Sequence, residues 1–313
     1  MRRNLDALAQ AAIRRTVSLL PARSLRYILA SIAARTGVSL IQVDGNRGQI
    51  LGAIDDQVVF GCYWRGLDPS SALISSLQTL SSINRGGTLV DVGANIGLFT
   101  TPFARNPKIA CKLFEPDRLN SRLLRWNLAT NCPGADVSIY ELALLDRKCT
   151  VELEHSPDNH GDHRVRVGDA SQASDRALFR ENERETAKVP ATTLDDLLNA
   201  ETLAKPIVIK IDVQGAEAHV IQGGSTLLKS TDILIFEFWP YGLRRAHANV
   251  PQMFDQLKAV FREGALFEEK DGTPRCLEAE GRPLRSIDLI LADLHKLYQD
   301  VDSIRQVDVL LRR

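Results

Sequence analysis

Between residues 88 and 238 the chain repeats one rhythm, in which short apolar runs alternate with turns and helical stretches. The runs are Thr88–Val92, Cys111–Phe114, Val137–Leu144, Pro206–Ile211 and Ile233–Phe238. Short apolar runs separated by helices have no solvent face of their own, so they imply a parallel sheet covered on both sides. Helices are expected at 117–131 and 217–228, with another beginning near Asn95, and Val307–Leu311 is expected to close the sheet as an edge strand. Ahead of this unit, residues 38–65 alternate in strand fashion with turns at Asp44-Gly45 and Asp55-Asp56, which predicts a small hairpin layer. Residues 70–83 have the spacing of a helix through Leu73, Ile74, Leu77 and Leu80. The expected division is an N-terminal helical and hairpin extension over 1–85 and an α/β domain over 86–313. Within that domain, residues 154–187 are polar and predict an inserted loop.

Composition narrows the function classes. Lys plus Arg equals Asp plus Glu at 39 each, so the chain lacks the basic excess of a general nucleic-acid binder. Five scattered cysteines with no CxxC pair suit a reduced, cytoplasmic compartment. Residues 1–36 carry seven arginines and no lysine, with apolar residues at helical spacing on either side of Pro21. The expectation is two amphipathic helices packed on the main domain. The competing reading is a helix that meets a membrane surface or an acidic partner.

The stretch "LVDVGANIGLFT", residues 89–100, has the strand-turn context of a nucleotide site. Ligands of open α/β sheets bind beyond the carboxyl ends of the strands, at the switch point. The dinucleotide pattern G-x-G-x-x-G is broken, because Asn95 stands where the second glycine is needed, and no Gly-Lys-Ser/Thr follows for a phosphate loop. What fits is a ligand without a pyrophosphate. Asp91 is placed to meet an ammonium group, while Gly93 and Gly97 let an amino-acid moiety lie against backbone. In "LFEPD", Glu115 ends the next strand eighteen residues after Gly97, where an acid grips ribose hydroxyls. Asp146 follows the third strand, where an adenine amino group could be met.

"LVDVGANIGLFT", "KLFEPD", "ELALLD", "VPATTLDDLL", "IVIKIDVQGAEAHVIQGG" and "ILIFEFWP" stand in an order that resembles the FkbM family of S-adenosylmethionine-dependent methyltransferases. The resemblance runs from about Gly86 to Trp239. It implies the Rossmann-like class I methyltransferase fold, with a mostly parallel seven-stranded sheet and helices on both faces. It also implies S-adenosylmethionine as cofactor and methyl transfer to a hydroxyl of a sugar, glycoside or other small acceptor. The cofactor residues so implied are Asp91, Gly93, Ala94, Asn95, Gly97, Glu115, Pro116, Asp146 and Asp212. Gln214 departs from the pattern, standing where glutamate is frequent.

Asp212 ends the fourth strand beside the switch point and is expected to face the transferred methyl. Glu237, at the end of the fifth strand, is a second candidate, with Trp239 and Tyr241 as an apolar wall for the acceptor. Glu217 begins the helix after the fourth strand, where the helix dipole favours an acid in any case. The segment "EHSPDNHGDHRVRV" holds metal-ligand types but no established zinc spacing, so it is read as an acceptor-facing loop without metal. Within it, His163 is a candidate general base. Two other readings compete: an NAD-linked oxidoreductase, and a non-catalytic protein that retains the fold.

Overall fold

The computed structural model describes residue 31 and residues 35–45, 48–57, 59, 71–157, 159–168, 179–270, 273–276, 284–301 and 303–313. The expected N-terminal helices lie almost wholly outside these residues. Strands β1 (Leu40–Gly45) and β2 (Gly48–Ala53) pair antiparallel as the expected hairpin. Helix α1 (Ser71–Leu80) follows. Next come β3 (Gly87–Val92), α2 (Thr101–Ala104), β4 (Ile109–Phe114), α3 (Arg118–Asn131) and β5 (Val137–Tyr140).

The chain then leaves the main sheet for β6 (Ala143–Leu144), β7 (Cys149–His155), β8 (Arg164–Arg166) and β9 (Glu185–Thr192). It returns through α4 (Leu194–Leu197), β10 (Ile207–Ile211), α5 (Glu217–Gly223), α6 (Ser225–Leu228) and β11 (Ile233–Phe238). The remainder is α7 (Pro240–Arg245), α8 (Val250–Val260), β12 (Glu263–Lys270), β13 (Thr273–Cys276), β14 (Arg285–Ser286), α9 (Ile287–Gln299) and β15 (Val307–Arg312).

The main sheet runs β5-β4-β3-β10-β11-β15-β12, and β13 and β14 both pair with β12. The first five strands are parallel, and β15 is antiparallel to both its neighbours. This is the expected mostly parallel, seven-stranded arrangement, extended by two short strands. Period-2 alternation divides the core between the two faces. Ile207, Ile209 and Ile211 of β10 pack with Val220, Leu227, Leu257 and Ile290 from α5, α6, α8 and α9. Val208, Leu89 and Ile235 pack the other way, with Leu77, Phe103 and Leu124 from α1, α2 and α3. The chain crosses from β3 towards β4 on one side and from β10 towards β11 on the other. The carboxyl ends of β3 and β10 therefore flank a crevice.

Three expectations change. The third apolar run is two strands, because β5 ends at Tyr140 and β6 pairs with β9 in a separate sheet of order β6-β9-β7-β8. Residues 154–187 are more than an inserted loop, since they include the end of β7, all of β8 and the start of β9. Charge hid these strands. Glu152 stands opposite Arg166 and Glu154 opposite Arg164, while Leu153, Val165 and Val189 face a small core. Finally, no helix begins at Asn95. That residue has φ 49°, and turns continue to Thr100 before the short α2.

Candidate active site

The residues at the crevice begin with a cross-strand pair. In the β3–β10 register Lys210 lies directly opposite Asp91, both on the same face of the sheet. Lys210 Nζ is 3.3 Å from Asp91 Oδ1 and 3.4 Å from Asp212 Oδ2, and it donates to the Gly93 carbonyl at 2.9 Å. Thr100 Oγ1 donates to Asp91 Oδ2 at 2.5 Å. Burying either charge alone would be costly, so each requires the other. Burial opposes the Lys210 charge, but Asp212 and Asp91 more than offset it and hold the ammonium above the ordinary lysine range. Asp91 is fully buried and does not reach the cleft wall. The expectation that it meets a ligand ammonium is therefore corrected: its carboxylate anchors Lys210 below the site.

The glycine turn is shaped by packing. Gly93 has φ 79°, and a Cβ there would lie 1.8 Å from the Asp212 carbonyl oxygen. Gly97 has φ 90°, and its Cβ would lie 2.8 Å from Leu124 Cδ1 on α3. The two glycines let the turn close against the end of β10 and against α3. Gly97 does not line the cleft, whereas Gly93, Ala94 and Asn95 do. Glu115 fastens the turn to β4: its Oε2 accepts the Asn95 N–H at 2.8 Å, and its Oε1 accepts the Asp117 N–H at 2.9 Å. Burial raises the Glu115 carboxyl to about 7, with the Asp117 and Asn95 amides pulling the other way.

These groups border a cleft of about 590 Å3, within the range of roughly 300–1,000 Å3 usual for small-molecule sites. Glu115, Pro116 and Asn120 form one side, with Leu142, Ala143 and Leu144 beside them. Asp146, expected at this end, is absent from the wall. Its Oδ2 is 3.0 Å from His219 Nδ1 and its Oδ1 accepts from Arg147 at 2.9 Å. The departure of β6 into the second sheet carries Asp146 away, so the adenine assignment made from its position is corrected.

At the other end stand Asp212, Gln214 and Glu237. The Gln214 amide donates to Asp212 Oδ1 at 2.7 Å and to Glu237 Oε2 at 3.0 Å. Burial, then the neighbouring Asp212 charge, pushes the Glu237 carboxyl well above its ordinary value. Two carboxyl groups this close favour unlike protonation states. Lys210 lies beside Asp212 and gives that carboxyl group a cation neighbour. Glu217 is wholly buried and faces the turn below. Its Oε1 accepts from Val213 N–H at 3.0 Å and from Gly215 N–H at 3.1 Å, so its work is to hold the turn after β10.

His163 lines the cleft, but Ser156 N–H donates to its Nδ1 at 3.1 Å. In the neutral ring the proton is then on Nε2, which leaves no free lone pair. Burial lowers its pKa to about 4. The general-base assignment is corrected: His163 offers a donor to the cleft. Asp117, His155 and His163 bring potential metal-ligand atoms within 4.8 Å of one another. Asp117 Oδ2 is 3.0 Å from His155 Nε2, and its Oδ1 caps α3 by accepting from Asn120 N–H at 2.8 Å. His163 Nδ1 is taken by the Ser156 N–H, so Asp117 and His155 are the pair within this group that bond each other.

The segment carrying His163 is clasped from two sides. Asn120 Nδ2 donates to the His160 carbonyl at 3.0 Å, and His160 N–H donates to Asp56 Oδ1 at 3.3 Å. On the other side, Arg164 grips Asp162 with bonds of 2.7 and 2.8 Å and Glu181 at 2.6 Å, while its guanidinium lies 4.6 Å from the Trp239 ring centroid. Phe179 and Trp239 line the cleft, whereas Tyr241 is buried behind them, donating to Glu181 at 3.0 Å. Lys210 and the bridging role of Gln214 were missed in the sequence. A signal for Lys210 existed, because one lysine inside "IVIKI" demands a buried acid.

A doubly wound, mostly parallel sheet with an acid-lined cleft at its switch point is the class I methyltransferase architecture. Residues 91–263, more than half of the chain, match the methyltransferase FkbM domain, and the chain belongs to that family. It is 27% identical over 178 residues to the 2-O-methyltransferase NoeI of Sinorhizobium fredii, covering 54% of this chain and 71% of the relative. It is 28% identical over 154 residues to the methyltransferase sdnD of Sordaria araneosa, covering 43% and 59% respectively. An S-adenosylmethionine-dependent O-methyltransferase of Thermotoga maritima aligns with it at 10% identity and a TM-score of 0.36, over 77% of this chain and 65% of that one. That likeness is too loose to bear on this chain's chemistry.

Proposed function

We propose that the cleft binds S-adenosylmethionine across the ends of β4, β3 and β10, and that the methyl passes to a hydroxyl oxygen of a sugar, glycoside or other small acceptor. Glu115 carries this reading. Each of its carboxylate oxygens already accepts one backbone N–H, so the group is fixed in place with a lone pair on each oxygen still available to a vicinal diol such as ribose. Gly93, Ala94 and Asn95 offer backbone to the methionine part, and Pro116 with Leu142–Leu144 offers apolar surface to the base. S-adenosylmethionine supplies an activated methyl on a sulfonium, so the protein has chiefly to align and to exclude water. Asp212, beside Lys210 and 40% exposed, is placed to take the proton from the acceptor hydroxyl. Glu237, whose carboxyl burial and the Asp212 charge push well above its ordinary value, and the His163 Nε2–H line the same cleft and can hydrogen-bond the acceptor. Phe99, Phe114, Phe179 and Trp239 narrow access for water.

The 2-O-methyltransferase among its relatives supports oxygen as the accepting atom. Cys111, Cys132 and Cys149 are unpaired among the described residues, which supports a reducing compartment. No described helix is long and apolar enough to cross a membrane. The test is ligand-induced stabilisation. S-adenosylhomocysteine at 100 times its dissociation constant should raise the unfolding free energy by about 2.7 kcal/mol. NAD should leave the melting temperature unchanged, and stabilisation by NAD alone would overturn the proposal.

A further inference from the structure

The turn after β10 presents one side chain in a way that its backbone alone does not explain. Gln214 has φ 57°, a left-handed conformation that is uncommon for residues other than glycine, asparagine and aspartate. Glu217 holds the residues on either side through Val213 N–H and Gly215 N–H, so the strain is maintained from below. The result is that the Gln214 amide stands between the ends of β10 and β11, with one nitrogen within hydrogen-bond distance of two carboxyl groups. A primary amide has two N–H donors, and here each has its own acceptor.

We propose, on the reading of the cleft given above, that Gln214 is a positioning residue for the methyl-transfer end, its amide holding Asp212 and Glu237 in fixed register towards the sulfonium. Three features make the amide the right group. It donates to both carboxyl groups at once, which a hydroxyl cannot do. It adds no charge where Asp91 and Asp212 already share Lys210 and where the Asp212 charge bears on Glu237. It also reaches from a turn that Glu217 fixes, so its own position is set by the fold. A glutamate in the same place would remove both donors and add a third carboxyl group to the cluster.

The test compares two ligands that differ at the transferred position. S-adenosylhomocysteine has a neutral thioether there, and sinefungin carries an ammonium group. The native protein should bind sinefungin more tightly, since Asp212 and the shared amide face that position. Gln214→Met keeps the length of the side chain and loses both donors. Gln214→Asn suits the left-handed backbone but is too short to span both acceptors. Each variant should lower the sinefungin preference by about fivefold or more, the loss expected for hydrogen bonds to charged groups, while the dissociation constant for S-adenosylhomocysteine changes less than about twofold. Calorimetric titration reads both. A ratio within twofold of native in a folded variant, an equal loss for both ligands, or equal native affinities would overturn the role of Gln214 and leave the cofactor reading standing. A native protein that binds neither ligand would overturn both.

Discussion

Glu115 is buried, accepts two backbone N–H groups and titrates near 7, and these properties together set how the site responds to pH. The direction follows from which state holds the proton. Between the ordinary value of 4.5 and about 7 the folded chain keeps a proton that the unfolded chain has released, so the unliganded protein loses stability as pH rises through that window. Ribose hydroxyls donate better to the ionised form, so ligand binding expels the proton. The affinity for S-adenosylhomocysteine should therefore rise from pH 6 to 8, by at most about tenfold per unit, and level off above. In Glu115→Gln the profile should be flat and the affinity lower, as calorimetry across that range would show. The sequence made Glu115 legible because its strand-end position and its distance from Gly97 are set by covalent spacing. His163 was legible only as a residue type. Its inability to accept a proton comes from Ser156 N–H, a bond that no spacing announces.

At the scale of elements, the site rests on the junction of β3 with β10. Lys210→Met would leave Asp91 buried without its cation, with Thr100 still donating to it, at a cost of about 3–5 kcal/mol. The double variant Asp91→Asn with Lys210→Met should recover much of that loss, because no uncompensated charge remains. Urea unfolding of the two single variants and the double variant measures the coupling, and additive losses would show that the pair is not a unit. The five parallel strands were readable because full burial leaves an apolar signature. The pairing of one lysine with one aspartate more than a hundred residues away was not, since register is a property of the assembled sheet. For the same reason β7 and β8 escaped notice. Glu152 and Glu154 on one strand both pair with Arg166 on the other across the ladder, while each strand alone reads as a polar loop.

At the scale of the whole molecule, the second sheet decides which strand-end acids reach the cleft. Asp146 would have followed a continuous third strand, but the chain turns away after Tyr140 and pairs β6 with β9. Asp146 then joins His219 on α5, outside the cleft wall. Asp146→Asn should change affinity for S-adenosylhomocysteine by less than about threefold, within the range of a surface substitution. A larger loss would place this acid at the ligand after all. The match to the family begins at residue 91, yet Gln57 and Leu73 line the same cleft, and the Asp55-Asp56 turn meets His160 from the opposite side. Part of the lining of the cleft thus comes from chain outside the family match. Two members with identical cofactor motifs could differ in what they methylate through changes upstream of the first of them.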